Sequence, residues 1–446
     1  MIICCGEALI DMVRTQVPGL GDAFTPLPGG SPYNTAIAIG RMGVPVKFLG
    51  RFSTDFFGEI LLKRLRENRV GDDLIIRSGQ NSTLAFVKLE RGKEPKYVFY
   101  TEGTADRSLM VGDLPQKLPS DTRCILFGSI ALTMEPLAST IEAFILREGS
   151  RKSADQMDGA PVISFDPNIR PFMIKEKAAY IERLEKWVAA STITKISSVD
   201  FEYIYPKLSP EQALQKIIAM GPRLAICTMG YKGALALLRR NDGSVTKVSA
   251  PVVDLPVIDT IGAGDTFHGA FLSWLELKGK MSRSALVSLN ETDLYDALFF
   301  ANKAASIVCS RRGAEPPSRR EVESLKVPAL TTGIRAKTGV VKKTAAKGSA
   351  VKAPPAKSPA PKSKAAAKTT AKKPAARTQG AKVPAVKSRA AAKAPPKKTA
   401  AKTPAPKQKT VAKKPAVKKP VVKKAAVKPA VKPKAGAGKK DVKKKR

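Results

Sequence analysis

A run of residues that could handle phosphate extends from Val257 to Phe271, with the sequence Val-Ile-Asp-Thr-Ile-Gly-Ala-Gly-Asp-Thr-Phe-His-Gly-Ala-Phe. Its β-branched start leads into a turn formed by Gly262, Ala263 and Gly264, and an apolar-periodic helix follows the turn. Glycines permit a tight turn and a close approach of a ligand to the backbone. The amides of a first helical turn carry partial positive charge. The run therefore predicts a site for phosphate oxygens during transfer.

Asp265 stands at the mouth of this predicted phosphate site. A carboxylate among phosphates does not favour binding, but it can take the proton from a hydroxyl that attacks phosphorus. The alternative is that Asp265 caps the helix, since Asp is a favoured N-cap residue, and the run by itself leaves both interpretations open. His268, three residues further along, is predicted to be a structural histidine.

Other classes of site are excluded by motifs that the sequence lacks. There is no GxxxxGK[ST] run, the glycines Gly262, Gly264 and Gly269 do not follow GxGxxG, and the HRD and DFG motifs of protein kinases are absent. Because His268 is the single histidine, histidine-based zinc sites and a Ser-His-Asp triad elsewhere are almost excluded. The five cysteines form no CxxC pair, so we expect buried, reduced thiols.

Short apolar runs alternate with amphipathic segments through the first 330 residues, which predicts an α/β fold with a mostly parallel sheet between two layers of helices. The predicted strands are Ile2–Cys5, Val46–Leu49, Cys124–Phe127, Val162–Phe165, Ile193–Ile196, Leu224–Thr228 and Ala234–Leu238. The predicted helices are Ser31–Arg41, Phe57–Asn68, Ile181–Ala190, Pro210–Ile218, Thr266–Leu277 and, as the last ordered helix, Leu294–Cys309.

One region does not follow the strand–helix alternation. Leu84–Glu90 and Tyr97–Thr101 are rich in β-forming residues and are joined by the polar segment Arg91–Lys96, which predicts a hairpin with no helix after it. A hairpin inserted into an α/β domain often serves as a lid over the site. A plain edge hairpin fits the same pattern, so both interpretations stay open.

The formal charge of +40 is concentrated at the end of the chain. Residues 331–446 contain 37 Lys and Arg, one acid (Asp441) and no aromatic residue, so this segment contributes +36 and the first 330 residues only +4. Permutations of Ala, Lys and Pro cannot bury enough apolar surface to offset the chain entropy. We therefore expect a folded domain over residues 1–328 and a disordered basic tail over residues 329–446.

The tail resembles those of linker histones, and its charge density predicts sequence-independent binding to nucleic acid or other polyanions. Without aromatic side chains it has no stacking platform for bases. A solvated extension without a partner is the alternative. At the other end, Glu7 and Asp11 interrupt the apolar start of the chain, which argues against a signal peptide, and no run of about 18 apolar residues occurs. We expect a cytoplasmic protein with no membrane span.

Several separated motifs resemble the ribokinase-like, PfkB-type carbohydrate kinases, and they follow one another in the expected order over about residues 1–325. The motifs are Gly29-Gly30-Ser31-Pro32-Tyr33-Asn34-Thr35-Ala36, Gly40-Arg41-Met42-Gly43, Phe127-Gly128-Ser129, Asp166-Pro167-Asn168-Ile169-Arg170, Thr228-Met229-Gly230-Tyr231-Lys232-Gly233-Ala234, the Asp259–Asp265 run, Asn302 and Arg312-Gly313-Ala314. The resemblance implies a three-layer sandwich with a small β lid around residues 84–101.

On the sugar side, the resemblance implies contacts from one set of residues: Asp11, Gly29, Gly30, Asn34, Asp166 and Asn168. Asp11 as a turn residue and Asn34 as a helix cap are the plainer alternatives. Arg170 suits bidentate contact with phosphate oxygens or a sugar hydroxyl, and a salt bridge to Asp166 is its alternative.

On the nucleotide side, the resemblance implies ATP contacts from Lys195, Ser197, Thr228, Gly230, Gly233 and Asn302. Mg²⁺ is expected with the ATP, held mainly by phosphates and water. Asp200, or Glu202 in its place, stands where the family has a Glu that organises the magnesium ion through water. A monovalent cation such as K⁺ is implied near Asp259 and Thr260.

The resemblance is strongest to fructokinases, so the expected reaction is ATP-dependent phosphorylation of fructose to fructose 6-phosphate. A 2-keto-3-deoxygluconate kinase or another sugar or nucleoside kinase of the family is the first alternative. A nucleic-acid-binding protein that uses an inactive kinase-like core as a scaffold is the second. A homodimer formed through the lid is also expected.

Overall fold

A ten-stranded sheet and a separate four-stranded sheet form the framework of the computed structural model, which describes residues 1–19, 21–88, 96–150 and 159–326. The strands are β1 Ile2–Cys5, β2 Leu9–Val17, β3 Gly21–Gly29, β4 Val46–Ser53, β5 Val70–Gly71, β6 Ile75–Ser78, β7 Thr83–Lys88, β8 Lys96–Tyr100, β9 Cys124–Gly128, β10 Val162–Asp166, β11 Ile193–Ser197, β12 Leu224–Thr228, β13 Ala234–Arg239 and β14 Val245–Ala250. The helices are α1 Ser31–Arg41, α2 Phe56–Glu67, α3 Leu137–Ser150, α4 Lys177–Ala190, α5 Ser198–Ile204, α6 Pro210–Met220, α7 Ala263–Leu277, α8 Arg283–Val287, α9 Glu291–Cys309 and α10 Arg319–Ser324.

The large sheet has the order β14-β13-β12-β11-β10-β9-β1-β4-β5, with β6 also paired to β4. From β12 to β5 all neighbours are parallel, and β13 and β14 close one edge as antiparallel strands. The carboxyl ends of the parallel strands therefore meet at one edge of the sheet, where ligands of open α/β sheets usually bind.

Two layers of helices cover the sheet because its central strands are apolar on both faces. Every residue of β1, β9 and β10 is buried. One core contains Tyr33 together with Phe267 and Phe271 of α7, and the core on the other face contains Phe165 and Trp187. The predicted three-layer α/β/α architecture is confirmed.

The small sheet has the order β3-β2-β7-β8 and corresponds to the predicted lid. Strands β7 and β8 pair as predicted, but β2 and β3 were not predicted. Pro26 and Pro28 interrupt the pattern of β3; its position at the edge of the sheet explains why they are tolerated. Asp11 consequently lies within a strand of the lid, and the interpretation of Asp11 as a turn residue was wrong.

Several helices extend beyond their predicted bounds. Helix α7 begins at Ala263, three residues before the predicted Thr266. The prediction missed the first turn because that turn is polar and contains a glycine. Helix α9 was wrongly predicted to be the last ordered helix: Arg319–Ser324 forms a further short helix, which the side chain of Ser318 caps. Most of the segment Arg91–Lys96 and the whole predicted tail lie outside the described residues.

The five cysteines are free thiols, four of them buried and Cys309 partly so. This agrees with their place in apolar strands and helices. Among the described residues, no helix has the length and apolar character needed to cross a bilayer.

Candidate active site

Two cavities meet at the start of α7, at the carboxyl edge of the large sheet. One, the lid cavity, has a volume of about 290 Å³ and lies between β2, β8, α1 and α7. The other, the outer cavity, has a volume of about 330 Å³ and lies between the loop after β12 and helix α9. Thr260 and Gly264 line both cavities. The Gly262–Asp265 turn therefore has a compartment on each side.

Geometry requires a glycine at position 262 and leaves little room for a side chain at position 264. Gly262 precedes α7 in the left-handed conformation, with φ of 74°, and a Cβ atom there would lie 2.7 Å from Cβ of Ala314. A Cβ atom on Gly264 would lie 3.1 Å from Nζ of Lys195. The backbone amides at the start of α7 are left without a side-chain cap, which is the arrangement predicted for binding an anion.

The Asp265 carboxylate is buried and points away from its own helix end. Its Oδ1 accepts a hydrogen bond of 2.6 Å from Oγ of Ser31, and its Oδ2 accepts one of 3.0 Å from Nδ2 of Asn34. Burial raises the pKa of Asp265, and the hydrogen bonds from Ser31 and Asn34 oppose that rise. The alternative interpretations of Asp265 and Asn34 as helix caps were therefore wrong, since both side chains join α1 to α7 at the lid cavity.

Two more carboxyl groups line the lid cavity. Burial raises the pKa of Asp11 to about 7, while the positive charge of Arg170 opposes the rise. Burial likewise raises the pKa of Glu7 to about 7, although the amides of Ser31 and Ala131 donate to it at 3.1 and 3.2 Å. Three acids close together make this cavity suited to a ligand rich in hydroxyl donors.

Gly29 and Gly30 serve different purposes beside these acids. A Cβ atom on Gly29 would lie 2.3 Å from Oδ2 of Asp11, so this glycine makes room for the carboxylate and does not itself line the cavity. Gly30 lines the cavity with φ of 108°, and a Cβ atom there would meet the carbonyl oxygen of Glu7 at 2.7 Å.

Arg170 and Asn168 complete the lid cavity. Nη1 of Arg170 donates to the side-chain oxygen of Asn168 at 2.8 Å and to two backbone carbonyls. Asp166 pairs with Lys195 and not with Arg170, so the alternative of an Arg170–Asp166 salt bridge was wrong. The guanidinium group therefore faces the cavity with N–H groups available for a ligand.

Asp166 and Lys195 lie behind the site, where they form a buried ion pair with Nζ 2.8 Å from Oδ2. Burial raises the pKa of Asp166, but Lys195 and His268 together outweigh it, and the pKa lies below its usual range. His268 lies next to this pair, with Nε2 2.7 Å from Oγ of Ser164, and burial lowers its pKa. Neither Asp166 nor Lys195 lines the lid cavity or the outer cavity, and Nζ of Lys195 lies close to the Gly264 turn. Their predicted contacts with sugar and ATP stay a prediction.

Ser197 and Asp200 cap the amino end of α5 and do not line either cavity. Oδ2 of Asp200 accepts from the amide and hydroxyl of Ser197, and its Oδ1 accepts from the amide of Ile169 at 2.9 Å. Asp200 thereby ties the loop that carries Arg170 to β11. Glu202, the alternative acid, is exposed.

The predicted nucleotide-side residues Thr228, Gly230, Gly233 and Asn302 all line the outer cavity. The side-chain amide of Asn302 donates to the carbonyls of Ala250 and Pro251 at 2.9 and 3.0 Å, which fixes α9 against the strand end. Apolar residues such as Val253 and Phe267 form much of the remaining wall, as is usual where a flat ring binds.

Asp259 and Thr260 lie between the outer cavity and the chain after α9. The Asp259 carboxylate accepts from the amide of Ile261 at 3.0 Å and from that of Gly313 at 2.9 Å. Within residues 1–19, 21–88, 96–150 and 159–326, no group of three or more His, Cys, Asp and Glu is arranged to hold a metal ion. A divalent cation would thus depend on a ligand's own oxygens and on water.

Sequence reasoning missed Glu7, Ser31 and the aromatic residues Tyr97 and Phe99, which line the lid cavity. The sequence did contain a signal for Glu7, because burying a carboxylate at the end of an apolar strand costs free energy unless the carboxylate has hydrogen-bond partners. Ser31 stood inside a quoted motif, but its hydroxyl contact with Asp265 spans 234 residues and only the fold reveals it. The ring centroids of Tyr97 and Phe99 lie 6.0 and 5.6 Å from that of Phe172, so stacking joins β8 to the segment after Arg170.

Comparison with known proteins defines the class to which this arrangement belongs. The family model of the pfkB family carbohydrate kinases matches residues 1–320. Because that match covers most of the chain, the protein belongs to the pfkB family of carbohydrate kinases.

Fructokinases are prominent among its relatives. The chain is 36% identical over 294 residues to a fructokinase of Rhizobium leguminosarum bv. trifolii, an alignment that covers 66% of this chain and 85% of the relative. A fructokinase from Xylella fastidiosa, solved with bound ATP, superimposes with a TM-score of 0.64 and 26% identity over 72% of this chain and 97% of that one. A Vibrio cholerae O395 fructokinase, solved with fructose, ADP and a calcium ion, gives a TM-score of 0.58 and 25% identity, with coverage of 72% and 97%.

The substitution Asp11→Asn should flatten the dependence of stability on pH in the ligand-free protein. The pKa of Asp11 is raised from 3.8 to about 7 on folding, so between these values the folded chain keeps a proton that the unfolded chain has lost. The stability from this group is complete below about pH 4 and is lost as the pH rises through about 7. Urea unfolding across this range should show a slope smaller by up to about 1.4 kcal/mol per pH unit in the variant.

The control is Asp254→Asn, which removes an exposed carboxylate and should leave the slope unchanged. If Asp11→Asn also keeps the wild-type slope, Asp11 is ionised throughout the range and this view of the lid cavity is wrong.

Proposed function

We propose that this carbohydrate kinase transfers the γ-phosphoryl group of ATP to the 6-hydroxyl of fructose. The observation that carries the proposal is the Gly262–Asp265 turn, which separates two cavities and presents a buried carboxylate to one of them. Fructose is chosen because relatives and solved structures with that named activity cover this chain with 25 to 36% identity.

In this proposal the sugar occupies the lid cavity. Asp11 and Asn168 accept and donate hydrogen bonds to its hydroxyls, and Asn34 contributes the part of its amide that Asp265 does not use. The flat walls of Tyr97 and Phe99 exclude water from above, which favours transfer to the sugar over hydrolysis. Gly29 and Asp166 act indirectly, one by making room for Asp11 and the other by holding Lys195.

The proton of the attacking hydroxyl passes to Asp265 as the sugar oxygen bonds to the γ-phosphorus and the bond to the β-phosphate oxygen breaks, releasing ADP. Ser31 and Asn34 hold the two carboxylate oxygens in place for this step. The amides of Gly262, Ala263 and Gly264 stabilise the charge that develops on the phosphoryl oxygens, with the Lys195 ammonium beneath them. Arg170 stabilises the same charge from the sugar side.

The nucleotide occupies the outer cavity, with Thr228, Gly230 and Gly233 toward its phosphates and Asn302 on the wall that faces the adenine. Ser197 acts through its cap on α5 and not by touching the nucleotide. Mg²⁺ bound to the phosphates would supply charge neutralisation. Asp200 positions the surrounding loop, since both of its oxygens already accept hydrogen bonds. A monovalent cation such as K⁺ near Asp259 and Thr260 belongs to the same proposal.

Residues 1–328 form the catalytic domain in this proposal, and residues 329–446 form a separate basic extension. The family match ends at residue 320, and the composition changes just beyond residue 328. Catalysis therefore has no requirement for the extension, whose charge of +36 over residues 331–446 suits it to nucleic acid or other polyanions.

The decisive assay measures ATP consumption by the full chain with Mg²⁺ against fructose, ribose, 2-keto-3-deoxygluconate and adenosine. Fructose should give the highest kcat/KM, and Asp265→Asn should lower kcat about 10²–10⁴-fold with little change in folding. The exposed Asp242, on the turn between β13 and β14, supplies the control Asp242→Asn, which should keep wild-type kcat. A higher kcat/KM for another acceptor refutes fructose as the substrate. Equal kcat in the wild type and Asp265→Asn refutes Asp265 as the general base. No turnover of any acceptor favours the alternative of an inactive kinase-like scaffold.

Deleting residues 331–446 should separate nucleic-acid binding from catalysis. The full chain should be retained on DNA and released as the salt concentration rises, because each neutralised phosphate frees a counterion. The truncated chain, with a formal charge of only +4, should elute at low salt and phosphorylate sugar at the wild-type rate. Retention of the truncated chain, or its inactivity when folded, contradicts the proposed division.

We also propose a homodimer formed through the outer face of the lid. Phe24, Val98 and Tyr100 are 44%, 57% and 60% exposed there, and Phe86 contacts Phe24 and Tyr100 edge-on at 5.1 and 5.5 Å. An apolar sheet face of this kind usually marks an interface. Sedimentation equilibrium should give about twice the chain mass, and Val98→Glu should give a monomer, whereas the control Val199→Glu, at a 72% exposed site on α5, should not. A monomeric wild type refutes the dimer.

A further inference from the structure

A groove of about 790 Å³ lies at the end of the large sheet opposite the active site. Its walls are the carboxyl ends of α3 and α4, the chain that leads into β12, the turn after β13 and helix α8. Arg223 precedes the first residue of β12, whereas Thr228, the last residue of that strand, lines the outer cavity. Five residues of strand separate the two sites by roughly 15 Å, so their occupants do not compete for space.

Two guanidinium groups, those of Arg223 and Arg283, face this groove. Neither lies within ion-pair distance of a carboxylate anywhere in the described part of the chain. Nη2 of Arg283 donates to the carbonyl of Gly149 at 3.1 Å, while its buried Nε has no partner. Burial, followed by the charge of Arg223, lowers the pKa of Arg283.

Two acids that are sequence neighbours of groove residues have other partners. Glu148 accepts from Nε of Arg147 at 2.8 Å, and Asp242 accepts from the amide of Ser244 at 2.8 Å. Several other partly buried arginines have carboxylate partners, as Arg183 has with Glu142, whereas no carboxylate among the described residues pairs with Arg223 or Arg283. An anionic group of a ligand would offset the desolvation of these two guanidinium groups.

Two further arginines hold the walls of the groove. Arg239 donates to the carbonyl of Gly221, and Nη1 of Arg240 donates to the carbonyl of Val287 at 2.9 Å. Neither is paired with a carboxylate in the ranges that the structure describes. Their charges add to those of Arg223 and Arg283, so the field inside the groove attracts anions.

We propose that this groove binds a phosphate-bearing small molecule, with Arg223 and Arg283 holding the phosphate group. Guanidinium groups match phosphate oxygens with paired N–H donors. The volume falls within the range of small-molecule sites and is larger than a phosphate ion alone needs. The side-chain amide of Asn241 lines the opposite wall and offers a polar contact to the rest of the molecule.

The test is calorimetric titration of the full chain with inorganic phosphate, while a non-hydrolysable ATP analogue saturates the kinase site. The variant Arg223→Gln with Arg283→Gln should bind phosphate at least about tenfold more weakly, since each charged hydrogen bond contributes about 1.5–3 kcal/mol. The control Arg320→Gln removes an exposed arginine of α10 and should bind as the wild type does. The basic tail is present in all three proteins, so its background is the same.

Arg223→Gln alone gives a second measurement, because the Arg223 side chain forms no hydrogen bond within the described residues, so its loss should leave folding intact. Equal affinity in the wild type and both groove variants overturns the proposal, as does phosphate that competes with the ATP analogue. Asp155 and Asp158 lie in sequence just after α3. If phosphate binds only to a variant in which both aspartates are changed to Asn, the arginines pair with the chain's own carboxylates and the proposal fails. A sugar phosphate and a nucleoside monophosphate then distinguish the size of the ligand.

Discussion

The Asp265 carboxylate is buried where α1 meets α7, and the geometry of the site depends on the hydrogen bonds that it accepts there. A buried carboxylate is stable only with hydrogen-bond partners, and Ser31 and Asn34 supply them from 234 and 231 residues away in the sequence. These contacts fix the Gly262–Gly264 turn against the Gly30 turn. These hydrogen bonds therefore set the position of the glycine turn relative to the lid cavity.

Charge balance around the turn explains why the surrounding residues have their types. Glu7, Asp11 and Asp265 would repel one another if all were ionised, and burial raises the pKa of each. Lys195 beneath the turn and Arg170 beside it supply the opposing charge. Because Lys195 is held by Asp166, the two residues act as one unit behind the turn and need not touch a ligand.

The lid shows where pattern reasoning succeeds and where it fails. Strands β7 and β8 alternate clearly and were predicted, since one face packs over the site and the other is exposed. Strand β3 contains two prolines and has few buried residues, so its sequence carries no strand signal. It becomes a strand only because β2 offers a hydrogen-bonding edge along its whole length.

The sequence alone determined the layered fold and the glycine turn before α7, because both depend on local periodicity or on short spacing. The division of the motifs into two sets came from the family resemblance. The tertiary structure decided which side chains reach the cavities. It moved Asp166, Lys195, Ser197 and Asp200 behind the walls and brought Glu7 and Ser31 into contact with the site. These positions depend on contacts between residues apart in the sequence, from 29 residues for Asp166 and Lys195 to 234 for Ser31 and Asp265. The fold likewise brings Arg223 and Arg283 to one groove, and no local pattern in the sequence indicates that two like charges meet there.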